Sequence, residues 1–162
     1  MSLGLKRDYR FHQGFFRPKN PTKYIGKEPP IYRSGIELKF FKFCDDSVNV
    51  IKWSSEPFGI PYFDPIANRH RKYYVDNFVE IQEGIIIKKY LIEIKSLKET
   101  KKPVKSKGKK KASLLYEEAT FTTNMCKWIS ANQFCKDNKM EFLLLGYTIK
   151  EGFQSIPLNL NK

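Results

Sequence analysis

The sequence is poor in the residues that build covalent or zinc-held frameworks. It has three cysteines, Cys44, Cys126 and Cys135, an odd number with no CxxC spacing and mostly apolar neighbours, and all three read as reduced core residues. Its two histidines, His12 and His70, lie far apart and neither joins a cysteine or second histidine at ligand spacing, which argues against a zinc site. Long apolar runs are missing as well. No stretch of about 18 uncharged apolar residues occurs, and the opening "MSLGLKRDYRFHQGFF" has no run of signal-peptide length. An intracellular protein, or one packed inside a particle, is expected, with no membrane partner. Acidic residues are scarce beside basic ones, 17 against 30 in a chain of 162, for a formal charge of +13. That imbalance points to a polyanionic partner. Nucleic acid leads, because basic residues are interleaved with Tyr and Phe that can lie against sugars and bases. An anionic membrane surface would call for a basic amphipathic helix, and none stands out.

What is present is ample core material, 41% hydrophobic and 15% aromatic residues, enough to fill one domain spanning 1–162. Prolines at 18, 21, 29 and 30 keep residues 1–31 out of a regular helix, so this part reads as an extended basic arm. Ser34 followed by Glu37 has capping-box spacing and predicts a helix over 34–46. "VNVIKW" and "PFGIPYF" read as short strands, followed by the turn "DPIANRH". A hairpin over 72–81 and 85–95, reversing at "QEG", comes next. Residues 96–112 carry seven lysines between 101 and 111 without hydrophobic periodicity and read as a mobile loop. Phe121, Met125, Trp128 and Cys135 share a helical face, with Thr122 or Thr123 able to cap it, and predict a second helix to about 138. "MEFLLLGYTI" reads as a strand buried on both faces, ahead of a polar tail. The order implies an α/β (α+β) protein with a mixed sheet flanked by helices.

The chemistry concentrates in the hairpin. In "LIEIK", side chains two apart share a face, so Glu93 and Lys95 point together while Ile92 and Ile94 point the other way. The preceding strand carries Asp76, which comes close to Glu93 if the register allows. Two half-buried carboxylates are costly unless a cation lies between them, and magnesium, a hard ion that takes oxygen ligands and keeps places for phosphate, suits them. Lys95 beside such a pair can hold a water or hydroxide, or stabilise charge on a phosphorane-like transition state. A salt-bridged strand surface, with Asp76 marking a bulge, accounts for the same residues. Glu37 shares a helix face with Phe41 and Cys44; it is either the returning member of the capping box or a third acid turned toward Asp76 and Glu93. Glu56 in "WSSEPF" is a weaker candidate for that place.

Taken together, Glu37 on the first helix, Asp76 in "YVDNF" and Glu93 with Lys95 in "IEIK" resemble the site of the PD-(D/E)xK, restriction-endonuclease-like nucleases, whose core runs α-β-β-β-α-β; here Val75 stands where the family name has proline. "FRPKNPTKYIG", "IYRSGIELKFFKFCDD", "VIKWSSEPFGIPYFDPI", "HRKYYVDNFV" and "YLIEIKSLK" look more specifically like the head completion nucleases of T-even-like tailed phages, with a more distant relation to the endonuclease subunit of some bacterial transposons. The resemblance covers most of residues 15–148. It implies a metal-dependent DNA endonuclease with little sequence specificity that acts in phage head completion after packaging. Its place would be the cytoplasm of the infected host or the virion head, with portal, neck or other head proteins as partners. Carried over, Asp76, Glu93 and the Ile94 carbonyl would hold Mg²⁺, with Mn²⁺ substituting; Lys95 would position the water, and Glu37 would complete the acidic site. Asn124 and Lys127 on the second helix either meet the scissile strand or form a solvated helix flank. Lys19, Lys23, Arg33, Arg69 and Arg71 would bind the DNA backbone, which positions without reading sequence. The lysine-rich loop is either a DNA clamp or a solubilising insertion. The alternative is a structural head or neck protein that keeps the nuclease fold and binds DNA without cutting it.

Overall fold

A computed structural model describes residues 13–159. The first twelve residues of the expected basic arm lie outside the described residues. The first helix, α1 (Gly35–Asp46), starts as the sequence indicates: Ser34 is extended and its Oγ accepts from the Glu37 N–H at 3.1 Å. The return arm differs by one residue, because the Glu37 carboxylate accepts from the N–H of Arg33 instead of Ser34. At the far end, Lys23 Nζ donates to the carbonyls of Asp45 and Ser47 at 3.0 and 2.7 Å, placing a cation on the negative pole of the helix.

Five strands form the central sheet: β3 (Val50–Ser55), β6 (Asn77–Glu83), β7 (Ile86–Ser96), β8 (Glu141–Thr148) and β9 (Gly152–Ile156), in the order β3-β6-β7-β8-β9. All neighbours are antiparallel except β7 and β8, which are parallel and joined through the long helix α2 (Lys111–Asp137). A parallel pair needs such a crossover. β6 and β7 meet at a two-residue turn led by Gly84, whose φ of 63° suits a residue without Cβ. The polar tail expected after β8 instead contains β9, which forms one edge of the sheet.

The strand expected over 72–81 is two strands. β5 (Arg69–Tyr74) pairs with β4 (Gly59–Asp64) as a separate hairpin, and the chain then breaks at Val75 and Asp76 before joining the central sheet as β6. Alternation of apolar residues reports which face a side chain takes, not which strand it pairs with, so the break leaves no mark in the pattern. The second helix also starts earlier than expected, at Lys111, since "KASLLYEEAT" is rich in helix-forming Ala, Leu and Glu. Thr122 is therefore no cap; its Oγ1 bonds back to the Glu118 carbonyl.

Helices cover both faces of the sheet. On one side Phe40, Phe41 and Cys44 of α1 pack on Val50, Trp53, Val79, Ile92 and Ile94. On the other, Trp128, Ala131 and Cys135 of α2 pack on Leu91, Phe142 and Leu144, and on Tyr62, Tyr73 and Val75 from the β4–β5 hairpin and its exit. The arm contributes to the first of these layers. β1 (Gly14–Phe15) pairs with β2 (Ile31–Tyr32), Phe16 and Tyr24 lie against Trp53, and buried Asp45 takes the backbone N–H groups of Lys19 and Asn20. Among the described residues no helix is long and apolar enough to cross a membrane.

Candidate active site

The acids gather where the chain switches sheets. Because Asn77 pairs with Ile92, the register carries Asp76 to the level of Glu93, and Asp76 Oδ2 accepts from the Ile94 N–H at 2.8 Å. Glu93, 3% exposed, points to the α2 side of the sheet. Its Oε2 accepts from the Tyr73 hydroxyl at 2.5 Å and its Oε1 lies 3.0 Å from Lys95 Nζ. The alternation expected in "LIEIK" therefore holds, with Ile92 and Ile94 in the α1-side core. Asp76 stands between the two faces: it also lines a cavity of about 180 Å³ on the α1 side with Glu37, Arg33, Glu56, Ser55 and Asn77. Glu37 accepts from the Arg33 N–H and lines the same cavity wall as Asp76.

Electrostatics separate these groups. Burial, and then the neighbouring Glu93 charge, push the Asp76 carboxyl well above the usual aspartate range, against the opposing pull of Lys95 and the Ile94 N–H. Burial alone would lower Lys95, yet Glu93 and Asp76 together hold it above the ordinary lysine value, so it remains an ammonium group. Burial and the adjacent Glu93 raise Tyr73, which stays a hydrogen-bond donor. Lys127 lies over the rings of Tyr62 and Tyr73 at 5.8 and 5.7 Å and is lowered by burial and by Lys95.

The other sequence candidates divide by location. Arg33 pairs with Glu56 at 2.6 Å on the cavity wall, and Glu56 itself has a φ of 42° and donates its N–H to the Asp76 carbonyl. Arg71 pairs with buried Asp64, and Arg69 is exposed at the start of β5. Asn124 stands one helical turn before Lys127, beside the lysine-rich segment. Lys19 and Lys23 are not brought to the acids: they sit at the C-terminal end of α1, engaged with Asp46 and with helix carbonyls. Two participants were missed from sequence. Tyr73 reaches Glu93 only because β5 bends away at residue 75. Asn77 is fully buried on the cavity wall, with neither amide atom hydrogen-bonded among the described residues.

The donor set suits a hard divalent ion. Two adjacent carboxylates, one of them raised by burial and by its neighbour, are relieved by a cation, and both come from the same end of the sheet. Among the described residues no three His, Cys, Asp or Glu side chains form a complete cage. The remaining places would fall to a backbone carbonyl, water and substrate phosphate, as magnesium prefers.

A mixed sheet between two helices, with a helix glutamate, an aspartate at a strand break and Glu-x-Lys on the next strand, defines a nuclease of restriction-endonuclease-like fold. The chain belongs to the TnsA-like endonuclease N-terminal family, whose model matches residues 47–146 and so spans β3 through most of β8. It is also similar to the head completion nuclease of Enterobacteria phage T4, at 34% identity over 140 residues, covering 83% of this chain and 90% of that protein.

Proposed function

We propose that this protein is a magnesium-dependent endodeoxyribonuclease of phage head completion, with Mn²⁺ able to substitute, that hydrolyses phosphodiester bonds with little sequence preference in the infected bacterial cytoplasm. The observation that carries the reading is half-buried Asp76 set at the level of buried Glu93, flanked by an ammonium group at Lys95, in a chain of an endonuclease family. Asp76, Glu93 and the Ile94 carbonyl would hold the ion, with Glu37 completing the acidic wall. A bound divalent ion supplies Lewis acidity at the phosphate and lowers the pKa of an attacking water. The Lys95 ammonium, held by Glu93 and Asp76, would donate a hydrogen bond to the attacking oxygen or to the phosphate oxygens as charge builds on them. Tyr73 fixes Glu93 by donating to Oε2, leaving Oε1 toward Lys95. The Asn77 amide, unpaired beside Asp76, is placed to hold a water in the cavity.

Arg33 and Lys127 lie at this end of the sheet, Arg69 and Arg71 on the adjoining β4–β5 hairpin, and all four would contact the DNA backbone, which supplies affinity without sequence readout. Head or portal proteins are the partners that the phage relative's role suggests. The test is cleavage of linear and supercoiled DNA by the wild-type protein, Asp76→Ala and Lys95→Ala in Mg²⁺, Mn²⁺ or EDTA. Cutting that needs a divalent ion and is lost in both variants supports the reading. DNA binding without cutting under any metal would sink it in favour of a structural head protein.

A further inference from the structure

The lysine-rich segment does not stand away from the molecule. After a 3-10 turn over Leu97–Thr100, residues 101–110 lie along the first turns of α2, where Lys109 Nζ donates to the Val104 carbonyl at 3.2 Å and pairs with Glu117 at 2.8 Å. A groove of about 480 Å³ remains between segment and helix, within the size range of small-ligand sites. Its walls are apolar where a merely solubilising loop would be polar: Val104 and Tyr116 line it while 70% and 75% exposed, with Pro103 and Phe121 beside them. Lys98, Lys101 and Lys102 stand at its edge, and none makes a salt bridge among the described residues. The two carboxylates of the groove are already occupied, Glu117 by Lys109 and Glu99 by the Ser96 N–H and hydroxyl. The charge left to a ligand is positive.

An exposed aromatic ring in an apolar hollow, edged by unpaired ammonium groups, complements a flat base joined to a phosphate. A backbone clamp would need the lysines but not the hollow. A base stacked inside a duplex cannot enter such a site, so the occupant has to be unpaired. The groove is tied to the acids through its own elements: Lys98 and Glu99 on its wall follow Lys95 within four residues, and Asn124 lies one turn from Lys127, which covers the Tyr73 ring. We propose that this groove binds an unpaired nucleotide of the substrate, so that duplex DNA bearing a single-stranded end is preferred over a blunt duplex. The inference rests on the reading of the chain as a DNA nuclease.

The full chain is titrated in EDTA, where no cutting intervenes, against a fluorescein-labelled blunt duplex and the same duplex with a short overhang whose first unpaired base is 2-aminopurine. The overhang duplex should bind at least about fivefold tighter at equal salt, as one stacked base predicts, with quenching of the 2-aminopurine. Tyr116→Ala should bring the affinity ratio to about one and abolish the quench, while Tyr116→Phe, which keeps the ring, should preserve both. A wild-type ratio of one, or a ratio retained in Tyr116→Ala, overturns the site. If overhang preference persists in a protein that cuts no DNA with any metal, the nuclease reading fails and the groove stands.

Discussion

Asp64 and Asp76 are aspartates of the same stretch of chain, each set at a strand end, and the structure uses them in opposite ways. Asp64, 2% exposed, ends β4; its carboxylate accepts from the Ile66 and Ala67 N–H groups at 3.0 and 3.2 Å and pairs with Arg71 at 3.2 Å. Those donors, the Ala67 N–H foremost, outweigh burial and hold it below the usual aspartate range. Asp76 has one backbone donor, the Ile94 N–H, and faces Glu93, so burial and like charge prevail and it rises. Burial therefore does not distinguish a structural acid from a candidate metal ligand; the balance of donors against neighbouring charge does. Asp64 closes a turn and is finished. Asp76 is left with a demand that a cation can meet.

The comparison breaks most plainly in activity. Asp76→Ala should lower cleavage on the order of 10³-fold or more, as loss of a group acting in the transition state does. Asp64→Ala should leave cutting measurable at low temperature, because it touches none of the acids and meets the site only at its margin, through Arg71, the hairpin and the Thr123 hydroxyl of α2. Single-turnover cleavage of the two variants side by side decides this, and equal losses would mean that Asp64 belongs to the reactive group. Stability should reverse the order. Removing Asp64 opens the 65–68 turn and releases Arg71, and should lower the melting temperature on the order of 5 °C in a chain of this size. Differential scanning calorimetry of Asp64→Ala reads it directly, and an unchanged melting temperature would remove the structural role.

The candidate acids of the site could be picked out in the sequence and the anchoring acids could not. Glu93 and Lys95 sit two apart in an apolar run, and Ser34 with Glu37 is a local spacing, so both are fixed by the chain's own period. Asp45 and Asp46 are neighbours in "FCDD" with nothing in sequence to separate them, yet Asp45 is 1% exposed and takes the Lys19 and Asn20 N–H groups while Asp46 lies outside, paired with Lys19. Which of two adjacent acids turns inward depends on where a distant arm crosses the helix. The same limit hid Tyr73 and Asn77, whose partners or cavity arise from the break at 75–76. It hid the onset of α2, because its first turns face the lysine-rich segment and not the core, and so lack an apolar stripe toward the sheet.

The subtlest contrast is in pH dependence without metal. For Asp76 the folded value lies above the unfolded one, near 3.8; between the two, the native state holds a proton that the unfolded chain has released. Stability therefore falls as pH rises through that window and levels off above the folded value. For Asp64 the folded value is lower than 3.8, so its contribution is complete above that pH and is lost as the pH drops through the folded value. In EDTA, Asp76→Asn should remove the first slope and gain a few degrees of melting temperature at neutral pH, because an amide carries no charge beside Glu93. Asp64→Asn should keep that slope and weaken the acid-side loss. Saturating Mg²⁺ should stabilise the wild type more as pH increases, since binding needs the ionised pair and releases the Asp76 proton. Melting curves from pH 2 to 8, with and without Mg²⁺, test all three; a wild-type profile identical to Asp76→Asn in EDTA would show that burial and Glu93 do not raise Asp76, and the contrast with Asp64 would lose its reactive half.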